Sequence, residues 1–112
     1  MENNNPNQVT VTVDASGTIA CAPDPVRAHG RSALLRFVLQ SAGYVFPQGG
    51  AIVVDQPGSQ FPQPSRTLPP NDTTATLLDL NTQAGDFKYT VSVQQVASGQ
   101  TLQLDPTIIN EP

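Results

Sequence analysis

Apolar and polar residues alternate along several stretches of this chain. Residues 9–13 read Val-Thr-Val-Thr-Val, and residues 87–93 alternate aromatic or aliphatic residues with Lys, Thr and Ser. A period of two residues is typical of a strand with one buried face. Residues 33–39 place Ala, Leu, Phe and Leu at every second position. Their apolar residues also fit a helical period, but the flanking turn residues favour a strand, which we expect to be central in its sheet.

Turn-forming residues divide the rest of the sequence into short pieces. Further strands are predicted over residues 18–22, 44–46, 51–54, 73–80 and 101–104. The last of these pairs back on residues 87–93 through a hairpin turn at residues 97–100. Residues 26–31 are predicted to form a loop bounded by proline and glycine. Residues 1–7 are polar and Asn-rich and are predicted to be a disordered tail, which leaves residues 8–112 as a single domain.

A proline-rich stretch lies between two of the predicted strands. Residues 55–72 hold five of the eleven prolines, namely Pro57, Pro62, Pro64, Pro69 and Pro70. Proline restricts the backbone to extended conformations and so stiffens such a segment. Because strands are predicted on both sides, we interpret this stretch as a crossover within one β-sandwich rather than as a linker between domains.

Seven or eight short strands with regular turns and no convincing helix predict an all-β fold, an antiparallel Greek-key β-sandwich. The length of 112 residues suits one such domain. Tyr89 lies two residues before Val91 on a strand entered through Gly85 and Asp86. In immunoglobulin-like domains a tyrosine at this place hydrogen-bonds the backbone through its hydroxyl, and we expect the same bond here.

The charge balance limits the classes of partner. The chain has nine acidic and five basic residues, a formal net charge of −4 at pH 7. Nucleic-acid binding needs several cations along a phosphate backbone, so we expect none, and the same balance argues against an anionic membrane. The N-terminus lacks the basic and apolar regions of a signal peptide, and the longest apolar run, residues 51–54, is too short to span a bilayer. A cytoplasmic location is therefore expected.

Candidate chemistry is sparse. A blue-copper site needs two His, a Cys and usually a Met, whereas this chain has only His29, Cys21 and Met1. A zinc site from nitrogen and sulfur ligands fails on the same count, and the aspartates form no calcium-loop pattern. His29 has no Gly-x-Ser-x-Gly motif or other catalytic partner in the sequence. We therefore expect no metal, no cofactor and no enzymatic activity.

The only local concentration of basic residues consists of Arg27, His29, Arg31 and Arg36. Such a group could form a pocket for an anion or a carboxylate. We favour a solvated loop whose arginines pair with acids such as Asp24, because Arg36 lies on a predicted strand and the other three in a loop. The side chains are then expected to diverge.

The last quarter of the chain resembles a known family. The alternating strand Phe87–Val93 is followed by Asp105-Pro106 and by Glu111-Pro112. This combination is similar to the DP-EP family, small bacterial proteins named for the two dipeptides. The resemblance implies a compact β-sandwich, immunoglobulin-like or cupredoxin-like, and it assigns no catalytic or ligand residue.

A physical role for the two dipeptides can be derived from proline itself. Proline holds the residue before it in an extended conformation, so Asp105 and Glu111 keep their carboxylates free to accept backbone or Arg donors. Ile108 and Ile109 between them are expected to anchor the tail on the core. We expect the dipeptides mainly to fix the exit of the last strand, with a binding role as the alternative.

The sequence therefore indicates a non-catalytic binding or structural module that interacts with another protein through a sheet edge or the proline-rich crossover. The alternative is a small-molecule or anion binder that uses the region from Arg27 to Arg36.

Overall fold

The structure, a computed structural model, describes residues 7–112. The predicted disordered tail therefore lies outside the described residues except for its last member. Asn7 belongs to the domain, because its carbonyl accepts the Arg36 N–H at 2.7 Å and its side-chain amide bonds both backbone groups of His29. For Asn7 the prediction of a disordered tail is wrong.

The described part of the chain is built from eleven strands and contains no helix. The strands are β1 (Gln8–Val13), β2 (Ile19–Ala22), β3 (Val26–His29), β4 (Ala33–Leu39), β5 (Tyr44–Val45), β6 (Ile52–Val54), β7 (Arg66–Thr67), β8 (Thr74–Asp79), β9 (Gly85–Gln95), β10 (Thr101–Leu104) and β11 (Thr107–Glu111). The predicted all-β sandwich is confirmed, with more strands than the seven or eight expected. Two of the additional strands are β3, where the sequence predicts a loop, and β11, where it predicts only a tail.

The strands form two sheets. The first has the order β2-β1-β4-β8-β7, so β4 is central, as predicted. In the second, β9 pairs with β10 and β11 along one side and with β5 and β6 along the other, and β3 lies beyond β11.

Two of the pairings, β1 with β4 and β3 with β11, are parallel, whereas the sequence predicts antiparallel pairing. In both cases the chain visits the opposite sheet between the two partners. Such a long connection is what parallel pairing requires.

The core lies between the sheets and follows the alternation of the sequence. In β4, Ala33, Leu35, Phe37 and Leu39 are buried, whereas Leu34 is 56% exposed. Phe37 meets Tyr89 of the other sheet edge to face, with ring centroids 5.5 Å apart. Aromatic pairs in this geometry stabilise a core beyond the area they bury.

The Tyr89 hydroxyl does not make the backbone bond that the sequence predicts. It is buried next to the Cys21 thiol and makes no hydrogen bond to a backbone group among residues 7–112. Burial raises the pKa of this hydroxyl far above its usual value, with smaller contributions from Cys21 and Asp24. The tyrosine-corner prediction is therefore wrong, because β9 directs the ring into the sandwich rather than toward a corner.

The proline-rich stretch is a crossover, as predicted. Residues 55–65 lead from β6 in the second sheet to β7 in the first. Phe61 from the middle of this segment is buried, and its ring meets that of Phe87 edge to face at 5.1 Å. The crossover is thus fixed to the core at its centre.

Candidate functional site

The structure brings together some of the residues that the sequence singles out. Arg27 and His29 lie on the exposed face of β3, and β11 pairs with β3 so that Glu111 is the neighbour of His29. The Arg27 guanidinium forms an ion pair with the Glu111 carboxylate at 2.5 Å. Arg31 lies after the end of β3, and Arg36 lies on the outer face of the other sheet. Arg27 and Arg36 therefore lie on different sheets.

The two dipeptides stand at the two ends of β11. Pro106 is buried, and its carbonyl accepts the Tyr89 N–H at 3.0 Å. The Asp105 carboxylate accepts the Thr90 hydroxyl at 2.9 Å, and Ile108 between the dipeptides is fully buried. The dipeptides therefore flank a strand that is part of the second sheet, and this segment is not a tail lying on the sheet.

An apolar cavity of about 240 Å³ opens where the crossover passes along β6. We call it the crossover groove. Its inner walls are Ile52, Val54, Phe61 and Leu77, and its rim is formed by Gly50, Val53, Pro57, Pro62, Gln63, Pro64 and Ser65. The three prolines on the rim lack N–H groups, so this side of the opening offers few hydrogen-bond donors.

Hydrogen bonds hold the crossover at its C-terminal end and at its centre, and they fix the shape of the groove. At the C-terminal end, the Ile52 N–H donates to Ser65 Oγ at 3.1 Å. At the centre, Gln60 is buried; its Oε1 accepts the Thr82 N–H at 2.8 Å and the Asn110 side-chain amide at 3.1 Å. The groove is therefore a formed feature of the fold and does not depend on a flexible loop.

A cluster of buried polar side chains lies behind Gln60. Asp79, Asn81 and Asn110 are each at most 2% exposed, and each keeps one side-chain oxygen without a hydrogen-bond partner in the described chain. Burial raises the pKa of Asp79, while the Asn81 N–H and the Asn110 side chain oppose the shift. No cation forms an ion pair with this carboxyl within residues 7–112, so no opposite charge offsets the effect of burial.

We expect Asp79→Asn to stabilise the protein at neutral pH. Because the folded-state pKa lies above the unfolded value of about 3.9, stability is greatest below that value and falls as pH rises through the raised pKa. An amide cannot ionise, so the substitution removes the cost of a charge at this buried position, and the free energy of unfolding should rise by about 1 kcal/mol at pH 7.

Urea denaturation from pH 3 to pH 8 measures this effect. The matched control is Asp86→Asn on the exposed face of β9, which should change stability little. An Asp79→Asn protein that keeps the wild-type dependence of stability on pH would contradict the assignment.

Two further reactive side chains of the described chain are Cys21 and His29. Burial, followed by the nearby charge of Asp24, raises the pKa of the Cys21 thiol to about 11, so the thiol is protonated at neutral pH and a poor nucleophile. His29 is exposed. Within residues 7–112 no three His, Cys, Asp or Glu side chains are grouped so as to hold a metal ion.

Sequence reasoning missed the inner wall of the groove and the buried polar cluster. One signal was present: Asp79 continues the buried register of Ala75 and Leu77 in β8. A carboxyl at an inward position of a strand indicates a buried polar network. The position of Phe61 had no such local signal.

Comparison with protein-family models and with curated proteins finds no match to this chain. Residues 7–112 contain no helix that is long and apolar enough to cross a membrane.

Proposed function

We propose that this domain is a non-catalytic binding module and that the crossover groove holds an apolar side chain of a partner protein. The observation that carries the proposal is the groove itself, an open apolar cavity whose walls are fixed by the core and by hydrogen bonds at the centre and the C-terminal end of the crossover. Apolar concave sites with few polar groups are the usual form of a binding pocket.

The size of the groove favours a protein side chain over a free small molecule. Pockets for drug-sized ligands usually measure about 300–1,000 Å³, and the groove, at about 240 Å³, is smaller. An aliphatic or aromatic side chain on a partner gains its affinity from the surrounding backbone as well, so it does not need a larger cavity.

The alternative of an anion site between Arg27 and Arg36 has less support. Arg27 is already paired with Glu111, and Arg36 lies on the opposite sheet. Exposed ion pairs of this kind contribute little, which suits a solvated surface. Membership of the DP-EP family is also a proposal, and it rests on the two dipeptides in the sequence, Asp105-Pro106 and Glu111-Pro112.

The test uses a groove-blocking variant and a matched surface variant. Gln63 lies exposed on the rim of the groove, whereas Gln48 is exposed outside it. We expect peptides selected on the wild-type domain from a random heptapeptide display library to bind Gln48→Trp like wild type. Gln63→Trp should lose most of the binding, because its indole fills the opening.

Isothermal titration calorimetry with the selected peptides gives the dissociation constants. Equal affinities for the two tryptophan variants, or a library that yields no apolar peptide, would contradict the proposal.

A further inference from the structure

The outer edge of β6 has backbone groups that turn away from the sheet. The Asp55 N–H donates to the Lys88 carbonyl, and the Ser92 N–H donates to the Ala51 carbonyl, both at 2.8 Å. In an antiparallel ladder, bonded pairs alternate with non-bonded pairs. The backbone groups of residues 51, 53 and 55 therefore all point toward β9. Those of Ile52 and Val54 point in the opposite direction, away from the sheet.

The outward groups of these two residues meet different surroundings. The Ile52 N–H is bonded by Ser65 Oγ. The N–H and C=O of Val54 have no hydrogen-bond partner within residues 7–112, and Val54 lines the crossover groove. An unpaired donor and acceptor on one edge residue match the two backbone groups of an extended peptide, which is the basis of strand addition.

The charge around this edge is negative. A second cavity of about 390 Å³ shares Val53 and Val54 with the groove and is bordered by Asp55 and Asp105. Lys88 between them donates to the Asp105 backbone carbonyl at 3.3 Å. The Asp55 carboxylate makes no ion pair in the described chain.

Strand geometry then orders the residues of a bound peptide. Side chains alternate between the two faces of a sheet. The peptide residue that pairs with Val54 points to the same side as the buried Val54 side chain, into the groove. Its neighbours in the peptide point to the outer side, where Asp55 lies.

We propose that the partner is an extended peptide that adds a strand to β6 at Val54, with an apolar residue in the groove and Lys or Arg on either side of it. This inference rests on the proposed function of the groove and names the ligand class that the groove takes.

Two blocked pentapeptides serve as probes, one with the sequence Lys-Val-Lys-Val-Lys and one with Glu in place of each Lys. We expect the lysine peptide to shift the NMR resonances of Ile52, Val54 and Phe61, and the glutamate peptide to bind at least about tenfold more weakly because of the charge at Asp55. Asp55→Asn should reduce the difference between the two peptides. Equal binding of the two peptides to the wild-type domain would overturn the requirement for a basic residue.

Two changes test the backbone hydrogen bonds between β6 and the peptide, one in the protein and one in the peptide. Val54→Pro removes only an outward N–H, a position at which an edge strand tolerates proline. The matched control is Thr101→Pro on β10, where the bond between Gln95 and Gln100 places residue 101 at an outward position as well. We expect about a tenfold loss of peptide affinity for Val54→Pro and none for Thr101→Pro. N-methylation of both valines in the peptide should cause a similar loss with the wild-type domain, without any change to the protein.

The outcomes separate this inference from the proposed function. If the N-methylated peptide and Val54→Pro bind like their unmodified counterparts while Gln63→Trp does not bind, strand addition is wrong and the groove remains the site. If Gln63→Trp binds as well as wild type, both proposals fail.

Discussion

Replacing Asn81 by Asp is expected to lower the free energy of unfolding by about 4 kcal/mol, because several buried hydrogen bonds lose their donor at once. The Asn81 side-chain amide donates to the carbonyl of Gly30 at 2.9 Å, of Ala28 at 3.2 Å and of Glu111 at 3.4 Å. An aspartate of the same shape has no N–H group, so it turns an oxygen toward three buried or half-buried carbonyls.

The backbone of residue 81 does not account for this loss. Its φ of +54° lies in the left-handed region, which Asn and Asp both tolerate better than other side chains do. The substitution therefore isolates the amide donors. Because they bond the ends of β3 and β11 from the connection between β8 and β9, their loss should also loosen the parallel pair of β3 and β11.

Urea denaturation at pH 7 measures the loss, and hydrogen exchange locates it in β3 and β11. The control Asn71→Asp places the same chemical change at an exposed turn and should alter stability by less than about 0.5 kcal/mol. Similar stabilities of the two variants would show that the Asn81 amide does not join the strands.

Replacing Gln60 by Ala is expected to cost about 3 kcal/mol and to abolish binding at the crossover groove. Gln60 Oε1 accepts the N–H groups of Thr82 and Gln83 and the side-chain amide of Asn110, and its Nε2 donates to Thr82 Oγ1. Alanine leaves these groups without their partner at a buried position. The neighbouring Phe61 then loses the anchor that holds its ring against Phe87.

The stability and the binding are measured separately for this variant. Denaturation gives the free energy of unfolding, and NMR of the Phe61 ring, together with titration of the lysine peptide below the unfolding range, reports on the groove. Gln48→Ala, at an exposed position, is the control for both. A Gln60→Ala protein with wild-type stability and an unchanged Phe61 environment would contradict the anchoring role.

Many of the strands could be predicted from the local alternation of apolar and polar residues. The strands β1, β4 and β9 were predictable because a period of two residues decides which face of a strand is buried, and this information lies within the strand itself. The hairpin of β9 and β10 and the crossover at residues 55–65 were also predictable. A turn of a few residues and a run of prolines act on the chain near them.

The parts that the sequence does not predict depend on partners far along the chain. Residues 26–29 have the proline and glycine boundaries of a loop, and they form β3 only because residues 108–111 pair beside them in parallel. Parallel pairing has no turn of its own to indicate it. The surroundings of the Tyr89 hydroxyl were also not predictable from the local sequence, because its neighbour Cys21 comes from the opposite sheet.

The candidate site also combines features that local sequence predicts with features that depend on distant residues. The sequence by itself predicted that the proline-rich residues 55–72 contain the crossover and that β6 is a short apolar strand, because composition and period are local properties. Only the tertiary structure decided that Phe61 returns to the core, that Gln60 meets Asn110, and that the outward groups of Val54 border a cavity. Those facts depend on where the crossover lies relative to β6 and β11, and hydrogen bonds between residues up to 50 positions apart fix that place.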